Sequence, residues 1–265
     1  MPRLLDIYLQ QMRNTLAVQF QYRIGMFIWM IATLLNPVIY MVVWQAAAGG
    51  GDIAGYGGRD FAAYFVVLLV VSHFTNMWHM LEYEYRIRQG ELNRELLRPL
   101  HPIHPDIAAN ITFKLLMLPV VIVAVILLVW AFRPAFHPPL WALVAFVPAV
   151  VLAGAVNFAA GWVVAMAAFW TTRISAVNQT YFLASLFLSG YIAPLEVLPA
   201  PLRAIAAVLP FKWVFSFPTE LCLGRLSVSE VLTGFAAQTV WLGALVILLG
   251  LVWQQAVRRY SAVGG

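Results

Sequence analysis

The sequence predicts an all-α integral membrane protein: six transmembrane helices, an amphipathic helix before the first, and a re-entrant helical element between the fifth and sixth. Three observations predict it. The 265 residues are 63% hydrophobic and only 10% charged, with a mean hydropathy of +0.84, whereas a soluble domain carries about 25% charged residues. Six stretches lack Asp, Glu, Lys and Arg and meet or approach the ~20 residues a helix needs to cross ~30 Å of hydrocarbon. The charges fall almost entirely between those stretches, which is the distribution of an orientation signal rather than of a nucleic-acid-binding surface.

The six stretches run 24–51, 61–81, 115–132, 141–172, 174–195 and 231–257. The third is expected to begin near Ile107, with the ammonium of Lys114 snorkelling or facing protein. The fourth exceeds one span and must tilt or project. Ahead of the first, within 3–22, Leu5, Tyr8, Leu9, Met12 and Leu16 recur at helical spacing, while Asp6, Gln10, Arg13 and Asn14 take other faces. Such a helix lies flat on a membrane surface. These polar residues also argue against a cleavable signal peptide, whose centre is apolar. Between 196 and 230 two short apolar pieces, 202–209 and 211–217, are too short to cross and read as interfacial or re-entrant. The whole chain, 1–265, reads as a single membrane domain.

Orientation follows from Arg and Lys. One side carries Arg3, Arg13, Arg23, Arg86, Arg88, Arg94, Arg98, Lys114, Arg173, Arg258 and Arg259; the other carries Arg59, Arg133, Arg203, Lys212 and Arg225. The richer side, which holds both termini, is expected to be cytoplasmic. Lys114 and Lys212 are the only lysines, an arginine bias that hints at a GC-rich bacterial genome.

Several chemistries are excluded. A P-loop needs Gly-Lys followed by Ser or Thr; both lysines follow phenylalanine, Phe113 and Phe211, so the chain does not hydrolyse ATP by that route. Cys222 is the only cysteine, which rules out an intrachain disulfide and a thiolate metal cluster. His101 and His104, with Asp106 nearby, offer too few ligands for a metal site. No nucleophile–base pair and no paired intramembrane carboxylates stand out, and Glu196 has no evident partner. An enzyme is therefore not expected.

The densest charge lies in the loop 82–106, EYEYRIRQGELNRELLRPLHPIHPD. Glu91 and Glu95 precede Arg94 and Arg98 at helical spacing, so 91–97 is expected to be a short surface helix supported by ion pairs. Pro99, Pro102 and Pro105 are expected to hold the rest of the loop extended. A charged helix of this kind under a membrane reads as a docking surface for a cytoplasmic partner. The second stretch is unusually polar, with Ser72, His73, Thr75, Asn76 and His79; pore lining and helix–helix hydrogen bonding both account for that. Asn157, between Gly154 and Gly161, reads as packing glue.

This ordered set resembles the permease subunits of type-2 ATP-binding-cassette (ABC-2) exporters, along essentially the whole chain. The helix over 3–22 resembles their connecting helix. QGELNRELLRPLHP (89–102) resembles their coupling helix, and FLSGYIAPLEVLPAPLRAIAAVLPF (187–211) their re-entrant element. The ending RRYSAVGG (258–265) is similar to the tails of a poorly characterised bacterial subgroup. The resemblance implies a bacterial inner-membrane protein that forms a pathway with a second permease chain, identical or related. It implies cytoplasmic ATPase subunits that hold ATP and Mg, this chain having no cofactor of its own. It assigns Arg88, Glu91, Arg94, Glu95 and Arg98 to coupling, and Phe65, His73, Asn76 and Tyr191 to pathway lining. The rival readings are an ion-coupled secondary transporter or channel subunit, and a non-transporting membrane scaffold.

Overall fold

The computed structural model describes residues 4–21, 23–171 and 174–259, most of them helical. Helix α1 (Leu4–Gln21) precedes α2 (Arg23–Ala48), and a two-residue hairpin, β1 (Asp52–Ile53) with β2 (Tyr56–Gly57), leads into α3 (Gly58–Thr75). The hairpin pairs Asp52 with Gly57 and Ile53 with Tyr56. Its turn residues Ala54 and Gly55 both take positive φ, the conformation that a two-residue hairpin turn requires. Then come α4 (His79–Arg88), α5 (Glu91–Leu96), α6 (Ile103–Phe132), α7 (Leu140–Ala165) with a 3₁₀ turn (Met166–Phe169), and α8 (Ile174–Leu188). Three short helices, α9 (Ala200–Val208), α10 (Pro210–Val214) and α11 (Ser216–Cys222), precede the long α12 (Val228–Arg259).

Helices α3 and α7 form the centre. α2, α6 and α11 pack on α3, and α4, α10, α11 and α12 pack on α7. Lipid is as apolar as leucine, so what holds these helices together is close packing and interhelical hydrogen bonding. Close packing shows at Gly154, where an added Cβ would lie 3.0 Å from the Phe74 carbonyl oxygen. The core on α3 includes Phe61, Tyr64, Phe65, Leu68 and Leu69, all fully or almost fully buried.

Four helical segments among the described residues are long and apolar enough to cross a membrane: Gly58–Thr75, Ile103–Phe132, Leu140–Phe169 and Val228–Arg259. The pair Ala200–Val208 and Pro210–Cys222, bent by 75°, makes a fifth if it counts as one span. The expected stretches differ from the observed helices at two places. The stretch 174–195 is helical only over the 15 residues of α8, roughly 22 Å at 1.5 Å per residue. The stretch 61–81 is two helices rather than one, because Asn76 takes ψ 141° at the end of α3 and the chain re-enters a helix only at His79.

That break leaves backbone groups without helical partners, and such groups in lipid cost several kcal/mol if left unbonded. Asn157 and Asn110 supply donors to two of the freed carbonyls, and Asn178 adds a bond inside the first turn of α4. Asn157 Nδ2 of α7 donates to Thr75 O at 2.9 Å, Asn110 Nδ2 of α6 to Asn76 O at 3.1 Å, and Asn178 Nδ2 of α8 to Met80 O at 3.2 Å. Tyr181 in turn donates to Asn157 Oδ1 at 3.1 Å. Asn157 is glue in the sense its sequence position indicated.

Candidate functional site

The charged loop folds as two short helices joined by Gly90, whose φ of +70° makes the corner. Leu92, fully buried, seals α5 onto a cluster with Met80, Tyr83 and Trp162. That anchor leaves one face of α5 and the residues just after it pointing outward. Glu91, Arg94 and Arg98 are exposed, and Leu97 is 88% exposed, more than any other large apolar side chain described. Leu97 lies outside every candidate span; sequence reasoning passed over it because leucine in a charged run looks like the buried face.

Glu95, expected to join this outward set, turns inward to Arg86. The Arg86 guanidinium meets Asp106 at 2.8 Å, Glu82 at 2.9 Å and Glu95 at 4.0 Å, and it lies over the Tyr83 ring at 5.4 Å. Burial disfavours the Arg86 charge, but Asp106, Glu82 and Glu95 together more than offset it and hold its pKa above the ordinary value. Burial raises the Glu95 pKa, against the opposing pull of Arg86. The side chain of Arg88 lies outside the described residues. The loop's prolines do not prolong an extended segment: α6 begins at Ile103, directly after Pro102. Its first turn carries His104, whose Nδ1 is hydrogen-bonded to the Tyr8 hydroxyl of α1 at 2.8 Å.

The four residues expected along a pathway fall into two groups. Phe65 and Tyr191 both pack on Tyr40, with ring centroids 6.3 and 6.2 Å away; Phe65 is buried and Tyr191 half-buried. His73 and Asn76 sit at the break in α3. His73 Nε2 donates to Lys114 O at 3.0 Å, while Asn76 is exposed and its carbonyl takes the Asn110 amide.

A second polar cluster, missed in the sequence, lies at the hairpin. Tyr56 donates to buried Glu220 at 2.5 Å and to Glu196 at 3.3 Å, so Glu196 has a partner after all. Burial, with the Glu220 and Glu196 carboxylates, holds the Tyr56 phenol protonated far above the ordinary range. Arg225 stacks on the Tyr56 ring at 3.8 Å, donates to Gly55 O at 2.8 Å, and lies 3.6 Å from Glu220 and 3.9 Å from Asp60. The signal available for Glu220 was a lone acid within an apolar run.

Among the described residues no group of three or more His, Cys, Asp and Glu could hold a metal ion. What the arrangement offers instead is a charged face on α5, beside a multi-helix membrane body. The family model described as ABC-2 family transporter protein matches residues 27–264. The chain belongs to that family. No curated protein matches it. As an ABC-2 family membrane protein it is a multi-pass transport component with no evident enzymatic domain, and proteins of this family work with ABC ATPase subunits in general.

Proposed function

We propose that the chain is the permease subunit of an ATP-driven exporter, forming the pathway with a second permease chain, identical or related, over separate cytoplasmic ATPase subunits that bind ATP and Mg. The observation that carries this reading is the outward face of α5: Glu91, Arg94, Leu97 and Arg98, an apolar knob among charges with none of the described residues covering it. Arg88, next to that face in sequence, completes the coupling set. α1 serves as the connecting helix on the cytoplasmic surface.

The membrane topology belongs to the same proposal. α2, with 26 residues, is roughly 39 Å long and serves as the first span. α3 with the first turn of α4, then α6, α7, α8 and α12 are the others, and the bent pair α9 and α10–α11 re-enters without crossing. Six spans leave both termini in the cytoplasm, the side with the greater Arg and Lys count, in a bacterial inner membrane. Phe65, Tyr191, His73 and Asn76 lie along the route between the two ends of α3.

The test is a mild-detergent purification from native membranes, with mass spectrometry and an ATPase assay. A soluble P-loop subunit is expected to co-purify, and to be lost when Glu91 and Arg94 are both reversed in charge. A chain that emerges alone, or only with copies of itself, sinks the proposal and turns attention to ion-gradient transport.

A further inference from the structure

We propose that Arg86 and Asp106 are the positioning pair that carries movement of the α4–α5 segment into the membrane, and that α6 is the helix that moves. This rests on the reading of α5 as the face that meets the ATPase.

The route is set by which elements are joined. α4 is separated from α3 by the break at Asn76–Trp78, and a broken helix has no axial stiffness to pass a push along. The three asparagine amides hold the backbone on either side of the break without making it helical. Beside its apolar packing on α7, α4 has a charge-assisted link that runs sideways to α6, from Arg86 Nη1 to Asp106 Oδ1 at 2.8 Å. Asp106 is buried, with its side chain 4% exposed, and the Arg86 side chain is 17% exposed. A charge-assisted bond at that distance, shielded from water, is short and directional.

The second cytoplasmic element arrives at the same place. Tyr8 of α1 is bonded to His104 at 2.8 Å, with the two rings edge-on. His104 and Asp106 are two residues apart in the first turn of α6, so α1 and α4 are both fastened to one helix start. That helix is also the freer one. Only 11% of its most apolar segment is buried within the chain, against 72% for α3. A push delivered to α3 meets the packed centre, whereas the apolar segment of α6 has few side chains to unpack. Interfaces packed like the centre switch between discrete arrangements rather than deform smoothly, which leaves α6 as the compliant element.

The experiment uses the chain with its co-purified ATPase in lipid nanodiscs. Spin labels go on Trp130→Cys, near the far end of α6, and Leu232→Cys in α12, both well exposed, with buried Cys222 replaced by serine. The distance between them is read without nucleotide and after trapping with ATP and vanadate. The wild-type background is expected to show a shift on trapping. Asp106→Asn should abolish that shift while the ATPase still co-purifies and hydrolyses ATP. Glu82→Gln is the control: it removes the charge from a contact of 2.9 Å on the same guanidinium, but one that joins α4 to itself. It should leave the shift intact, whereas a merely structural role for the cluster would make the two variants behave alike. Loss of the shift in both variants, or its survival in Asp106→Asn, overturns the assignment, as does an unmoving α6 in the wild-type background with the ATPase bound. A preparation with no ATPase at all overturns the underlying reading, and this inference with it.

Discussion

Two arginines, Arg86 near the α1 end and Arg225 near the hairpin, each gather several carboxylates, but they hold them differently. Arg86 makes two contacts of 2.8 and 2.9 Å to acids, and its side chain is 17% exposed. Arg225 stays 3.6 and 3.9 Å from its acids with 32% of its side chain exposed, and spends its short bond on a backbone carbonyl and its flat face on the Tyr56 ring. In the second cluster the buried carboxylate, Glu220, is satisfied by a phenol instead. The difference shows what burial of an acid requires. Asp106 depends on a cation, so its site is a rigid joint, whereas Glu220 depends on a neutral donor and leaves its arginine free to shift.

The comparison breaks most sharply at Arg86. Arg86→Ala strands the buried Asp106, and removing one partner of a buried pair costs about 3–5 kcal/mol. The apparent thermal midpoint of the solubilised chain, followed by tryptophan fluorescence, should fall further than for any other variant here. A midpoint close to that of the unmodified chain would show that Asp106 does not depend on the cation. Tyr56→Phe comes next. It deletes the hydroxyl that serves Glu220, and a buried acceptor left unsatisfied costs about 1–3 kcal/mol. If Tyr56→Phe is harmless while Arg225→Ala is not, the roles at the hairpin cluster are reversed.

Much of the molecule was legible because the rules involved act over short stretches. Period and length gave α1, the long spans α6, α7 and α12, and the short helix at Glu91. The outward face of α5 was legible for Glu91, Arg94 and Arg98, whose exposure agrees with the charge run. What escaped is long-range. Arg86 and Arg88 stand in one RIR triplet, and charge alone does not reveal that Arg86 turns to an acid 20 residues away. Glu95 fits the period of the outward face, yet faces Arg86. The polar run from Ser72 to Asn76 was visible, but the hydrogen bonding around the helix break depended on Asn110, Asn157 and Asn178. Those lie on three other helices, and pairing between helices leaves no mark on local periodicity.

Smaller effects sharpen the contrast. Arg225→Ala removes a stacked cation and two loose ion pairs at a partly exposed site, worth about 1 kcal/mol. It should lower the midpoint less than Tyr56→Phe does, and the difference from the unmodified chain should shrink as salt is added. A loss as large as that of Arg86→Ala would make the two clusters equivalent, and the contrast between joint and loose contact would fail.

The smallest effect should have the opposite sign. Arg86 faces three acids, and Glu95 is the most distant of them at 4.0 Å, beyond hydrogen-bond reach. Burial therefore outweighs attraction, and the Glu95 pKa lies above its ordinary value. A folded-state carboxyl with a raised pKa binds its proton more tightly than the unfolded chain does. The folded state accordingly gains stability as pH falls and loses it as pH rises through the folded value. Glu95→Gln removes the ionised form and its burial cost. The variant should match or slightly exceed the unmodified chain at neutral pH, and the difference should close in mild acid, where Glu95 is itself protonated. Midpoints measured across that pH range decide it. A Glu95→Gln chain that is weaker at neutral pH would mean that Arg86 needs its third carboxylate, and that the joint is a four-member network rather than a pair with a spectator.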